Sequence, residues 1–243
     1  MFSDGKTASV LPLPSSGKGR PPRERLLEAM LVTSAELGYE QVAVRHVIER
    51  ARTSRATFYK HFDDREDCFA QAHRDACEWL YRRLTGAARR RPSWREGLRA
   101  ALAELLEFCA NQPAVARALL VEVHAAGPRA LAQRRELMER LARALDSGRD
   151  GAAGRQGPPP IAPDFVVGAI DTLLAAKLMD GEAASAPEML PGLLHFVVMQ
   201  YLGEAAAWEE MTAAPLATWQ ARRSAALGTA RVASTAPPPG TAE

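Results

Sequence analysis

Between Leu26 and Leu202 apolar residues recur three and four positions apart, and no alternating apolar and polar run of useful length interrupts them. A strand needs period two to bury one face, whereas this spacing buries one stripe of a helix, so the fold is expected to be all-α. Leu26, Leu27, Met30, Leu31 and Leu37 lie between Pro21-Pro22 and Gly38, which predicts a first helix with proline at its start and glycine past its end. Val44, Val47, Ile48 and Ala51 form a single stripe about two turns long, a second helix. Ser54 can cap a third that runs to about Phe62, and Asp63 or Asp64 can cap a fourth that reaches about Ala88.

Further helices are expected over 93–112, 113–127 and 128–145, then a loop over 146–162 rich in Gly and Pro, then helices over about 164–180 and 187–210. The last of these carries Met189, Leu190, Leu193, Leu194, Phe196, Val197, Val198, Tyr201 and Leu202. Those residues cannot all face one core, and a helix apolar around its girth must be covered on every side. A second copy of the chain is the natural cover, which predicts a homodimer built through 164–180 and 187–210. Residues 1–20 hold Lys6, Lys18 and Arg20 against Asp4 among Gly, Ser and Pro; they read as a disordered basic tail or an arm that touches DNA. Residues 211–243 read as a mostly flexible extension, frayed from 228.

The balance of 47% hydrophobic and 25% charged residues over 243 positions suits a chain with a sizeable core. A formal charge of +2 is too mild to name a partner. Cys68, Cys77 and Cys109 form no CxxC and no metal-ligand spacing, and Cys68 and Cys77 fall on nearly opposite faces of one helix. No signal-peptide core and no run of about 18 apolar residues is present, so a cytoplasmic protein without membrane partner, metal or cofactor is expected.

Charge is concentrated where composition hides it. Over 45–62, Arg45, Arg50, Arg52, Arg55 and Lys60 oppose only Glu49, a local balance of +4. On a helix Phe58 and Phe62 would point inward onto the second helix, leaving Ala56, Tyr59 and Lys60 outward and Thr57 and His61 on the flank. Helix 44–51, the turn "ARTS" and the helix after it have the dimensions of a helix-turn-helix, whose second helix enters the major groove.

At this point the stretch "RERLLEAMLVTSAELGYEQVAVRHVIERARTSRATFYKHFDDREDCFAQA", residues 23–72, resembles the DNA-binding region of TetR-family transcriptional regulators. The marks are Gly38-Tyr39 after the first helix, "VRHVIERA", "SRATFYKHF" and "DREDCF". The family usually has Gly-Val where this chain has Arg52-Thr53, and often Thr in place of Ala43. The arginine predicts a turn that does not depend on positive φ and can add a phosphate contact, and the missing cap costs about 1 kcal/mol.

The resemblance implies an N-terminal three-helix helix-turn-helix domain over 21–66 and a helical ligand-binding and dimerisation domain over 67–210. It makes Arg45 and Arg55 candidates for base edges. Ser54, Thr57, Tyr59, Lys60, His61 and Arg65 become candidates for phosphates, and His46 can join either group. In the C-terminal half Glu122, His124 and Asp171 interrupt apolar helices and could orient an unknown small-molecule ligand, though each also suits an ordinary core or interface polar group; Trp79, Trp94 and Trp208 fit core or interface.

The expected function is a cytoplasmic homodimeric repressor released from a near-palindromic double-stranded DNA operator by that ligand. An activator or a ligand-independent DNA binder of the same fold is the alternative. An all-α enzyme using Glu122 and His124 as acid and base is disfavoured, because residues two apart on a helix point about 200° from one another and no nucleophile or phosphate loop accompanies them.

Overall fold

The computed structural model describes residues 20–147 and 158–212, and its regular elements are all helical. The tail over 1–19, the middle of the 146–162 loop and the extension beyond 212 lie outside the described residues. The head comprises α1 (Pro22–Leu37), a 3-10 turn (Tyr39–Gln41), α2 (Val44–Arg50) and α3 (Arg55–His61). The body comprises α4 (Arg65–Arg89), α5 (Trp94–Asn111), α6 (Pro113–Leu120), a 3-10 turn (Glu122–Ala125), α7 (Pro128–Asp146), α8 (Ala162–Met179), a 3-10 turn (Ala183–Met189), α9 (Leu190–Leu202) and α10 (Glu204–Thr212).

Local chemistry sets several ends. Pro22 opens α1, where a missing N–H costs nothing, and the Gly38 N–H closes it on the Ser34 carbonyl. Asp64, rather than Asp63, caps α4 by accepting the Asp67 N–H at 2.8 Å. Ser93 does the same for α5 through the Glu96 N–H at 3.3 Å.

Packing then joins head and body through one continuous apolar core that runs from Leu26 to Tyr201. Its centre is α4. Arg129 meets Asp67 at 2.9 Å and Arg140 meets Glu78 at 2.8 Å, so α7 runs alongside α4 in the same direction. On the other side Glu104 pairs with Arg83 and Gly97 lies against the Ala88 carbonyl, so α5 runs antiparallel. The turn into α7 depends on Gly127. Its φ is +91°, and a β-carbon there would stand 2.7 Å from the Glu66 carboxylate.

Two expected helices are corrected. The helix over 113–127 ends at Leu120, and a 3-10 turn follows in which the Glu122 carboxylate accepts a backbone N–H of the head. The helix over 187–210 is three pieces: Gly203, at φ +84°, closes α9 on the Met199 carbonyl, and Pro191 lies in the first turn of α9.

A third correction concerns the turn between α2 and α3, where Arg52 has φ +50°. The Thr53 N–H reaches the Ile48 carbonyl at 3.0 Å and the Arg52 N–H reaches that of Glu49 at 3.1 Å. That pair of bonds is the Schellman closure of a helix, which demands a left-handed residue at Arg52. Positive φ is therefore required after all, and the arginine bears a strain of about 1–2 kcal/mol that glycine would avoid.

Candidate nucleic-acid interface and ligand cavity

The cationic edge of the head is built outward from two rings. Phe58 and Phe62 are buried, 5.5 Å apart between centroids, while Arg55, Ala56, Tyr59 and Lys60 are exposed and Thr57 and His61 half-buried. Phe62 itself is extended, one residue past α3, yet its N–H still bonds the Phe58 carbonyl at 3.0 Å, so both rings share the inward side.

Ser54 caps α3: its Oγ accepts the Thr57 N–H at 3.1 Å and lies 2.9 Å from the Thr57 hydroxyl. Tyr59 is about half exposed, its ring edge-on to Phe58 and facing the Arg55 guanidinium at 5.6 Å. Arg50 is committed to Glu36 on α1, whereas Arg45, Arg55 and Lys60 form no ion pair among the described residues.

No side chain replaces the missing threonine cap, but His46 supplies the reciprocal bond, its Nδ1 accepting the Ala43 N–H at 3.2 Å. A neutral imidazole has one acceptor nitrogen, so this bond leaves Nε2 a donor that cannot also receive the nearby Arg45 Nε. Arg45 is thereby left to the solvent side.

Arg65 is held by backbone carbonyls through one nitrogen. Its Nη1 lies 2.7 Å from the Val42 carbonyl, 3.1 Å from that of Glu40 and 3.4 Å from that of Tyr39, and its guanidinium covers the Tyr39 ring at 4.6 Å. It closes the 3-10 turn beneath α4.

In the body, a cavity of about 410 Å3 lies between α4, α5, α7 and α8, in the range that holds small organic ligands. Its wall is mainly Leu, Ala, Val and Ile with Trp94 and Met138. The three ligand candidates from the sequence do not converge. Asp171 lines the cavity, ion-paired to Arg134, and burial holds its carboxyl above the ordinary value although Arg134 and His124 pull it down. His124 is exposed and outside the wall.

Glu122 is a joint between head and body. One oxygen accepts the Tyr39 N–H at 2.8 Å; the other takes Arg117 Nε at 3.1 Å, and Arg117 also reaches the Leu178 carbonyl at 3.4 Å. Glu122 and Tyr39 are far apart in the chain, and nothing local to either announces the contact.

Nearby, His73 is fully buried on α4, with Nε2 at 3.4 Å from the Leu119 carbonyl, and burial lowers its pKa to about 4. Burial also raises the Cys77 and Cys109 thiols to about 12, which keeps them protonated and unreactive.

On the outside of the body, Phe165, Leu173 and Met179 of α8 and Met199 of α9 are exposed, and a β-carbon at Gly168 or Gly192 would meet open space. No helix among the described residues is long and apolar enough to cross a membrane, and no group of three metal-ligating side chains gathers among them.

Residues 26–72 match the model of the bacterial regulatory proteins of the tetR family. No curated protein matches the chain. Among solved structures, the fatty acid degradation regulator FadR from Bacillus halodurans aligns with a TM-score of 0.67 at 16% identity, over 75% of this chain and 97% of that one. FadR from Bacillus subtilis, solved in complex with stearoyl-CoA, aligns with 0.65 at 17% identity, over 74% and 98%. SmeT, the repressor of the Stenotrophomonas maltophilia multidrug efflux pump SmeDEF, aligns with 0.59 at 18% identity, over 74% and 89%. At these identities the likeness is one of fold.

Proposed function

We propose that this chain is a DNA-binding regulator of the tetR family, a homodimeric repressor released from a near-palindromic operator when a small molecule fills the body cavity. The observation that carries the reading is the edge mounted on α3: Phe58 and, just past the helix, Phe62 are buried while Arg55, Tyr59 and Lys60 stay exposed, the two cations without carboxylate partners among the described residues. Arg45 and Arg55 take base edges, where a guanidinium fork fits guanine O6 and N7. Ser54, Thr57, Tyr59, Lys60 and His61 grip phosphates and hold register.

The exposed apolar faces of α8 and α9 support dimerisation, with Gly168 and Gly192 allowing close approach of the partner's helices. A two-fold pair of heads about 34 Å apart then requires a two-fold operator. Release follows from the joint. Leu120 lines the cavity and sits two residues before Glu122, which holds the Tyr39 N–H of the head. A ligand that binds better when α6 is displaced shifts the heads out of register by that differential affinity.

The test is a gel retardation assay with the DNA upstream of the protein's own gene. Selective retention is expected, with Arg55→Ala losing preference for the site by about ten- to hundredfold and Lys60→Ala weakening all DNA alike. Equal retention of unrelated DNA at moderate salt overturns the reading.

A further inference from the structure

The cavity has two different ends, and the difference specifies what it takes. Three helices agree on its direction. Leu80 to Arg89 on α4, Trp94 to Leu105 on α5 and Leu137 on α7 to Ser147 just past its end all contribute wall, and at the α-helical rise each stretch spans roughly 13–16 Å. Because α7 runs with α4 and α5 against it, Arg89, Trp94 and Ser147 gather at one end while Leu80, Leu105 and Leu137 gather at the other. The Trp94 Nε1–H bond to the Leu145 carbonyl, at 3.2 Å, ties that first end together.

Charge follows the same axis. The charged residues of the wall are Arg89, Arg91 and Asp171. Asp171 is already balanced by Arg134 at the inner end, near Leu120. Arg89 and Arg91 are exposed at the outer end and pair with no carboxylate among the described residues. Ser93 lies beside them, its hydroxyl already engaged by Glu96, donating to that carboxylate at 3.2 Å and accepting the Glu96 N–H at 3.3 Å. Between the ends the wall is aliphatic.

We infer that the cavity binds an amphipathic anion: an elongated apolar body lying along α4 with one terminal carboxylate or phosphate held by Arg89 and Arg91 at the outer end. A guanidinium pair matches the planar oxygens of either group, whereas a cationic amphiphile would meet two like charges on the wall at that end, the Glu96 carboxylate being outside the wall and hydrogen-bonded to Ser93. The apolar end reaches Leu120, two residues from Glu122, so the length of the ligand sets how hard α6 is pressed. The inference rests on the cavity being the effector site of the proposed repressor, and names the class of that effector.

The test measures binding directly, apart from DNA, by calorimetry on the full chain with four decyl probes: decanoate, decyl phosphate, decanol and decyltrimethylammonium. Either or both of the anions should bind more tightly than the alcohol, and the ammonium should bind most weakly; which anion wins identifies the head group. In the saturated acid series affinity should rise about fourfold per methylene until the inner wall is reached.

The double variant Arg89→Ala/Arg91→Ala should lose about five- to tenfold for the anions and leave decanol unchanged, a control that the protein is folded. Leu98→Trp, which fills the cavity, should abolish all binding. Equal affinity for ammonium and acid, or anion binding indifferent to the double variant, overturns the inference. Anion binding without release of retarded DNA would leave it standing and overturn effector control instead.

Discussion

The head and the body treat their charges in opposite ways. On the head, Arg45, Arg55 and Lys60 stand in water without carboxylate partners. In the body, the buried carboxylates are matched: Glu122 with Arg117, Asp171 with Arg134, Glu210 with Arg95 and Arg99. An exposed cation loses little by waiting in water, and gains when it meets phosphate and releases counterions. A buried carboxylate has no such option, because leaving it unpaired costs several kcal/mol, so it must find its partner within the fold. The contrast separates groups kept for another molecule from groups that set the shape of this one.

The largest blow to that contrast should come from Phe58→Ala, which removes the ring on which the cationic edge is mounted. A loss of about 3–5 kcal/mol in the urea unfolding of the head is expected, with DNA retention abolished while the particle measured by sedimentation stays dimeric. Retained DNA binding would show that the edge does not need its buried anchor.

Acid should next strike the body. His73 is buried and neutral, with its pKa lowered from 6.5 to about 4, so between those values the unfolded chain binds the extra proton. Stability therefore falls as pH drops from about 6.5 towards 4, by roughly 3 kcal/mol from this group alone. His73→Phe should flatten that part of the profile of urea midpoint against pH. A slope unchanged in the variant would assign the acid loss to other groups.

The smallest effect sharpens the account of the head. Arg52→Gly relieves a left-handed arginine and should raise the thermal midpoint by an amount equivalent to about 1 kcal/mol. If DNA affinity falls at the same time, Arg52 also contacts a phosphate; a midpoint that does not rise would show that the left-handed arginine carries no such strain.

Much of the head was legible residue by residue. The inward direction of Phe58 and Phe62, the outward direction of Tyr59 and Lys60 and the flank position of Thr57 and His61 follow from helical spacing, since the apolar stripe and the exposed face are properties of neighbours in the chain. Arg52 was misread because an arginine is compatible with several turns, and only the two carbonyl bonds from Thr53 and Arg52 select the left-handed one. The intramolecular contacts of Arg65 and Glu122 were illegible for another reason. A charged side chain on a helix looks alike whether it faces a ligand or a backbone amide, and their partners lie about 25 and 83 residues away.

What the sequence determined alone was the all-helical class, the helix-turn-helix and the edge it presents, because those rest on periodicities of three and four residues and on caps a few atoms away. The tertiary structure decided that Glu122 joins head to body, that Arg65 closes a turn, and that the cavity has a cationic mouth and an inner end where the one carboxylate is already paired. Those are meetings between elements remote along the chain, and burial forces each polar group there to take whichever partner the packing brings within reach.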